Sequence, residues 1–343
     1  MKLGIWTPLP HTIPAEPTLD AAIADLRTQG QGAPTDRSLQ FAIDVVTRGE
    51  ALGAATTLIA ERFLGPDLEA WMLSAALATH TKSIELMVAV HPGIVAPQVV
   101  AKMGASLDRI SGGRFAVNIV NGWFQEEFNL FSNGAWLGAE DRRYRRMDEF
   151  IRVMKGLWTK DSFSFDGEFY KFDAATLPIK TLRTPYPTIY AASRTGLGPD
   201  IIARECDVWF VPYEPSHRLY DDNFRGIEQG VREMQARARS YGRSIGYGIS
   251  AHAICEPTLA RAEARADALE EYGKKDAISK VAAKALGAGL VGTPKRIAER
   301  IRRYQDIGVE TFMLHYHPML EGLETFAAEV MPLLSAPRSA AAE

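Results

Sequence analysis

The strongest constraint in the sequence is an alternation of two hydrophobic periods. Short aliphatic, β-branched or aromatic runs recur at Leu3–Trp6, Thr57–Ala60, Ile84–Val90, Phe115–Val120, Thr188–Ala191, Val208–Val211, Ile245–Ile254 and Thr311–Tyr316. Each has strand length. Between them, Leu39–Leu52, Glu69–Thr79, Pro97–Ile110, Tyr144–Trp158, Asp221–Tyr241, Leu259–Tyr272 and Pro294–Ile307 repeat apolar residues at helical spacing. Eight strand–helix repeats without a Pro/Ser-rich linker fit one closed parallel barrel better than two doubly wound halves. The expected fold is therefore α/β, a (β/α)8 TIM barrel forming one domain over residues 1–335, with a small polar tail at 336–343.

Interruptions of the pattern mark where loops should be long. Asn121–Asp141 is rich in Gly, Asn and aromatics, and Phe163–Phe172 reads as a hairpin turning at Asp166–Gly167. Both follow the fourth strand. A third stretch, Gly273–Gly292, precedes the last periodic helix and is a candidate cover for the barrel mouth, the alternative being an ordinary excursion between strand and helix.

Composition excludes several partner classes. Lys and Arg number 39 against 42 Asp and Glu, with no long block of one sign, so neither nucleic acid nor a membrane surface is an expected partner. Cys206 and Cys255 are too few to staple the chain and read as core thiols in a reducing compartment. The opening MKLGIWTPLP lacks the apolar stretch of a signal peptide, and a cytoplasmic location is expected.

Barrels of this kind place their chemistry just beyond the C-terminal ends of the strands. There the sequence supplies His11, Glu61 and Arg62, His91, Asn118 and Asn121, Ser193-Arg194-Thr195, His252, and His315 with His317. So many imidazoles and amides at one mouth point to a ligand site. His315-x-His317 has the spacing of half a metal site, but no HExxH or CxxC accompanies it, so no metal is assigned and a metal-dependent hydrolase stays as an alternative class. Gly287-x-Gly289-x-x-Gly292 matches a dinucleotide fingerprint only as a string. It follows a helical-looking segment instead of a strand and precedes Thr293–Pro294, a good helix start. The run Asp141–Arg146 reads as the opening of a helix with one or two arginines turned inward, and Ala191–Gly196 as a candidate phosphate cradle.

Ile110-Ser-Gly-Gly-Arg-Phe-Ala-Val-Asn-Ile-Val-Asn-Gly-Trp123, then Glu127-Phe128, Arg143-Tyr144 and Glu149-Phe150, resembles the central signature of the luciferase-like flavin monooxygenases. The closest branch is the dimethyl sulfone monooxygenases, with alkanesulfonate and pyrimidine-ring-opening enzymes as cousins. The resemblance implies FMN across the barrel mouth, used as FMNH2 with O2 and supplied by a separate NAD(P)H:FMN reductase, in a homodimer or homotetramer. It implies cofactor contacts from Ala60, Glu61, Asn118, Glu127, Arg143, Tyr144, Ser193, Arg194 and Thr195. His252, His317, Asn121 and His11 become the catalytic candidates, and Ser250, His315 and Trp123 the substrate contacts. Alkanesulfonate enzymes carry an Arg where this chain has Ser250, which favours an uncharged small organosulfur substrate: dimethyl sulfone, cleaved to methanesulfinate and formaldehyde. Arg194 or Arg62 as substitute cations keep the alkanesulfonate reading, with sulfite and an aldehyde as products, open. A flavin-storage barrel is the non-enzymatic alternative.

Overall fold

The computed structural model describes residues 1–8, 38–64, 67–122, 124–132, 136–274 and 284–335. The expected barrel is present. Its strands are β1 (Lys2–Trp6), β2 (Thr56–Ile59), β3 (Glu85–Val90), β4 (Phe115–Ile119), β7 (Ile189–Ala191), β8 (Val208–Phe210), β9 (Gly246–Cys255) and β11 (Thr311–Tyr316). All neighbouring pairs are parallel, and the ring closes because β9 pairs with both β8 and β11. The flanking helices are α1 (Ser38–Ala51), α2 (Ala70–His80), α3 (Pro97–Ile110), α5 (Glu140–Thr159), α6 (Gly198–Glu205), α7 (Tyr220–Ser240), α8 (Leu259–Tyr272) and α9 (Pro294–Asp306). Outward residues of the strands, such as Leu86, Val88, Val117, Ile189 and Phe312, pack with these helices in the main core.

Inside the barrel a polar plug lies beneath an apolar layer. At the N-terminal end the Glu85 carboxylate accepts from Lys2 Nζ at 2.6 Å, Arg183 Nη1 at 2.8 Å and Tyr190 Oη at 3.0 Å. Burial alone would raise the Glu85 pKa, but the two cations hold it below its ordinary value. Leu58, Met87, Ala116, Tyr190, Phe210 and Met313 form the layer above, with Trp6 packed against them. Everything beyond that layer opens at the C-terminal mouth.

Several details depart from the sequence reading. The hairpin forms as β5 (Phe163–Asp166) and β6 (Lys171–Ala175), but Gly167 is not in the left-handed region. The connection is a longer loop, closed by Glu149, whose carboxylate accepts from the backbone N–H groups of Glu168, Phe169 and Tyr170. A short helix, α4 (Gln125–Phe131), stands in the segment after β4, and α6 was not apparent from periodicity. The stretch before α9 contains a 3-10 turn at Ala285–Ala288 and the two-residue strand β10 (Val291–Gly292), which extends the sheet along β9. It is tied down rather than free. Asn223 Nδ2 donates to the Gly287 carbonyl at 2.9 Å and Tyr304 Oη to the Ala288 carbonyl at 2.9 Å. Gly287 is there for closeness, since a Cβ would meet the Glu214 carbonyl oxygen at 1.8 Å. Residues 275–283 of the expected cover lie outside the described residues, as does the tail at 336–343. Thr293 does cap α9, accepting from Arg296 N, with Pro294 in its first turn.

Candidate active site at the barrel mouth

Strand alternation and register decide which side chains reach the mouth. Gly4, Leu58, Met87, Ala116 and Tyr190 face inward at the apolar layer, so their successors at even spacing, Trp6, Ala60, Ala89, His91 and Asn118, face inward above or within it. On the other side of the ring His252 is paired in register with His315, and Ser250 with Met313.

The β9–β11–β1 wall is aromatic. The Trp6 and His315 rings lie 4.1 Å apart at centroids and His315 and His252 4.6 Å apart, giving a three-ring stack across three adjacent strands. Burial, and then the neighbouring His252, push the His315 pKa well below its ordinary value, so this imidazole is neutral at physiological pH. Trp6 Nε1 donates to Ser250 Oγ at 3.1 Å, and Tyr213 Oη donates to the Ser250 carbonyl. His317 is buried at the end of the same wall.

The β2–β3–β4 wall is charged and internally paired. Arg62 and Glu127 are both buried, and Arg62 Nε lies 3.4 Å from Glu127 Oε1, while Phe124 stacks on the guanidinium at 5.2 Å. His91 is pushed down to about 4, first by burial and then by the Arg62 charge, against a hydrogen bond to the Glu61 backbone that raises it. Glu61 is pushed up to about 7, first by burial and then by Glu69, although its Oε2 accepts from Ala70 N at 2.9 Å at the start of α2. Its carboxylate therefore serves the α2 N-terminus, and Ala60 with the adjoining backbone is what this strand end offers the mouth. Arg146 is the arginine of the α5 opening that turns fully inward. It lies beneath the turn after β3, where Gly93, at φ +102°, leaves room that a Cβ would lose to the guanidinium carbon at 2.2 Å.

Between the walls, Tyr144 Oη and Ser193 Oγ are 2.5 Å apart, joining α5 to the turn after β7. The Ser193 carbonyl accepts from Trp209 Nε1 at 2.9 Å. Arg143 donates to the Leu137 and Gly138 carbonyls and stacks on Trp136 at 4.4 Å, which fixes the chain entering α5. Thr195 Oγ1 donates to Glu140 at 2.7 Å and Arg194 pairs with Glu214 at 2.8 Å. Asn121 is half-buried just past β4. His11 and Trp123 lie outside the described residues.

The site fits the flavin implied by the sequence resemblance. Asn118 is buried at the mouth, and its Oδ1 has no partner among the described residues, an uncommon state unless a ligand N–H completes it. Ala89, paired with Asn118, and Ala60 at the end of the next strand over are small side chains that would not obstruct a ring system, and the Tyr144–Ser193 pair with the start of α6 offers hydroxyls to a phosphate. Trp6 is the member of the site that the sequence reading passed over. Its signal was available: it closes the first strand run in inward phase.

Residues 19–311 match the luciferase-like monooxygenase family. The chain belongs to that family. An FMNH(2)-dependent dimethylsulfone monooxygenase of Pseudomonas putida is 33% identical over 296 residues, covering 78% of each chain. One of Pseudomonas fluorescens (strain Pf0-1) is 29% identical over 333 residues, covering 88% of each. Among solved structures, a monooxygenase from Streptomyces bottropensis superposes with a TM-score of 0.74 at 20% identity, covering 98% of this chain and 100% of its own, a likeness of fold. Membership replaces the metal-dependent hydrolase as a class for this barrel. No helix among the described residues is long and apolar enough to cross a membrane.

Proposed function

We propose that this luciferase-like monooxygenase uses reduced FMN and O2, supplied with FMNH2 by a separate NAD(P)H:FMN reductase, to cleave a carbon–sulfur bond of a small uncharged sulfone. Dimethyl sulfone, the reduced flavin and O2 would give methanesulfinate, formaldehyde, oxidised flavin and water. The relatives named as dimethylsulfone monooxygenases support this reading.

The observation that carries the choice of substrate is the charge of the mouth. A sulfonate taken out of water needs a fixed cation, because an uncompensated buried anion costs several kcal/mol. Neither candidate cation is left over for a sulfonate. Arg62 is matched by Glu127, both buried, and Arg194, exposed at the rim beside Glu214, would serve the phosphate end of the flavin. The wall that carries Ser250 adds hydroxyl, indole and a neutral imidazole, which suit the oxygens of an uncharged sulfonyl group.

When bound, the flavin supplies oxygen activation. The chain supplies position and dryness. Asn118 Oδ1 would accept from the ring-edge N–H and Asn121 would border the same edge. Tyr144, Ser193, Arg194 and Thr195 would hold the phosphate end, with the Glu140 and Glu214 carboxylates turning aside from it. Glu127 and Glu61 would act from behind, holding Arg62 and the start of α2, and Arg143 by fixing the approach to α5. His252 and His317 would move protons at the substrate, with His315 as a neutral brace. His11 and Trp123 keep their proposed catalytic and substrate roles. The test is product analysis with a reductase-supplied flavin: formaldehyde and methanesulfinate in equal amounts are expected, and dimethyl sulfone left unconsumed would overturn the reading.

A further inference from the structure

An indole N–H can only donate a hydrogen bond. Its contact with Ser250 Oγ at 3.1 Å therefore has a fixed direction: Trp6 gives, and the serine oxygen receives. The hydroxyl keeps one hydrogen of its own, for which no acceptor exists among the described residues. Ser250 is half-buried and faces inward in register with Met313, at the edge of the apolar layer. A donated bond to the oxygen also polarises the O–H, strengthening what that hydrogen can offer next.

We propose that Trp6 is a specificity-determining positioning residue, which occupies one acceptor site of Ser250 and turns its hydroxyl to donate, so that the mouth favours molecules presenting an oxygen acceptor on this wall. The assignment rests on the sulfone-oxygenase reading and sharpens it. The selected group is an S=O oxygen, and molecules of similar size that lack one lose the contact. The backbone adds rigidity, since Tyr213 holds the Ser250 carbonyl, and the His315 ring against Trp6 keeps the indole from turning. Trp6 acts through the serine, while Ser250 touches the substrate.

The test is a double-mutant cycle on Trp6→Phe and Ser250→Ala, read with dimethyl sulfone, dimethyl sulfoxide and dimethyl sulfide, a neutral series with two, one and no S=O oxygens. Phenylalanine keeps an aromatic ring over His315 and removes the donor together with the second ring of the indole. KM for the sulfone should rise by about three- to tenfold in each single variant, the range of one neutral hydrogen bond. The double variant should be no worse than Ser250→Ala alone, because Trp6 has nothing left to orient. Reduced-FMN affinity, measured anaerobically, should stay at the wild-type value, showing that the variants are folded. The wild-type preference for sulfone over sulfide should shrink in both. Additive effects in the double variant, or an unchanged sulfone-to-sulfide preference in Trp6→Phe, would overturn the role of Trp6 while leaving the sulfone reading standing. A wild-type enzyme that consumes none of the three would sink that reading and this one with it.

Discussion

The two walls of the mouth differ in how they use polar groups. On the β2–β3–β4 side, charge is abundant but spent internally: Glu127 holds Arg62, Glu61 holds the start of α2, and His91 is kept neutral beside them. On the β9–β11–β1 side Trp6, Ser250 and His315 present neutral groups, with the His252 ring stacked beside His315. The difference teaches that charge near a site is not charge offered to a ligand. A guanidinium with a buried carboxylate partner shapes the backbone, whereas one oriented hydroxyl can decide which substrate is held.

The largest effect expected from breaking this contrast is at Glu127. Glu127→Ala leaves the Arg62 guanidinium buried without its carboxylate and should cost about 3 kcal/mol or more of unfolding free energy. Denaturant titration reads it directly, and a loss below about 1 kcal/mol would mean that the Glu127 pairing is not what withholds Arg62 from an anionic substrate.

Charge placed on the neutral wall should act on selectivity instead. Ser250→Arg is expected to lower kcat/KM for dimethyl sulfone and to shift the methanesulfonate-to-sulfone ratio by about tenfold or more toward the sulfonate. An unchanged ratio, at equal FMNH2 supply, would show that Ser250 does not face the substrate. Asn118→Ala should weaken reduced-FMN binding by up to about tenfold, the worth of one neutral hydrogen bond, and cost little stability because Oδ1 has no protein partner among the described residues. If stability fell while flavin affinity held, the amide would be a structural group.

A subtler effect is the pH dependence of the charged wall. Glu61, ordinarily near 4.5, sits at about 7, so its contribution is complete below about pH 4.5 and is lost as pH rises through 7. His91, ordinarily near 6.5, sits at about 4, so its contribution is complete above about pH 6.5 and is lost as pH falls through 4. Between about pH 4.5 and 6.5 the two slopes oppose. Glu61→Gln should therefore uncover a decline in stability on acidification below pH 6.5 that is partly masked in the wild type. Identical profiles for the two proteins would contradict the shift assigned to Glu61. The smallest effect on unfolding free energy belongs to Arg194→Ala, whose exposed pair with Glu214 should be worth under about 0.5 kcal/mol.

The barrel was legible because its strands are buried on both faces or in strict alternation, a pattern that sequence periodicity records directly. The candidate mouth followed from strand ends, with Ser250 added by the family resemblance, and the register places Asn118 on one wall and Ser250, His252 and His315 on the other. What stayed hidden depended on pairing between distant segments. Nothing local says that Glu127 faces Arg62, that Glu61 turns to α2 or that Trp6 reaches Ser250, 244 positions away. The α6 helix escaped because eight residues opening on Gly-Pro give too short a periodic window. The glycines at 287, 289 and 292 matched a dinucleotide string in the sequence, whereas in the fold they permit close packing.

The central claim, that the paired and neutral mouth selects an uncharged sulfonyl substrate, is tested most directly by competition. Dimethyl sulfone and methanesulfonate at equal concentration, with O2 and one reductase supplying FMNH2 to both, should yield methanesulfinate with formaldehyde and little sulfite. Sulfite as the dominant product would contradict the account and would mean that Arg62 or Arg194 leaves its carboxylate partner to hold the sulfonate.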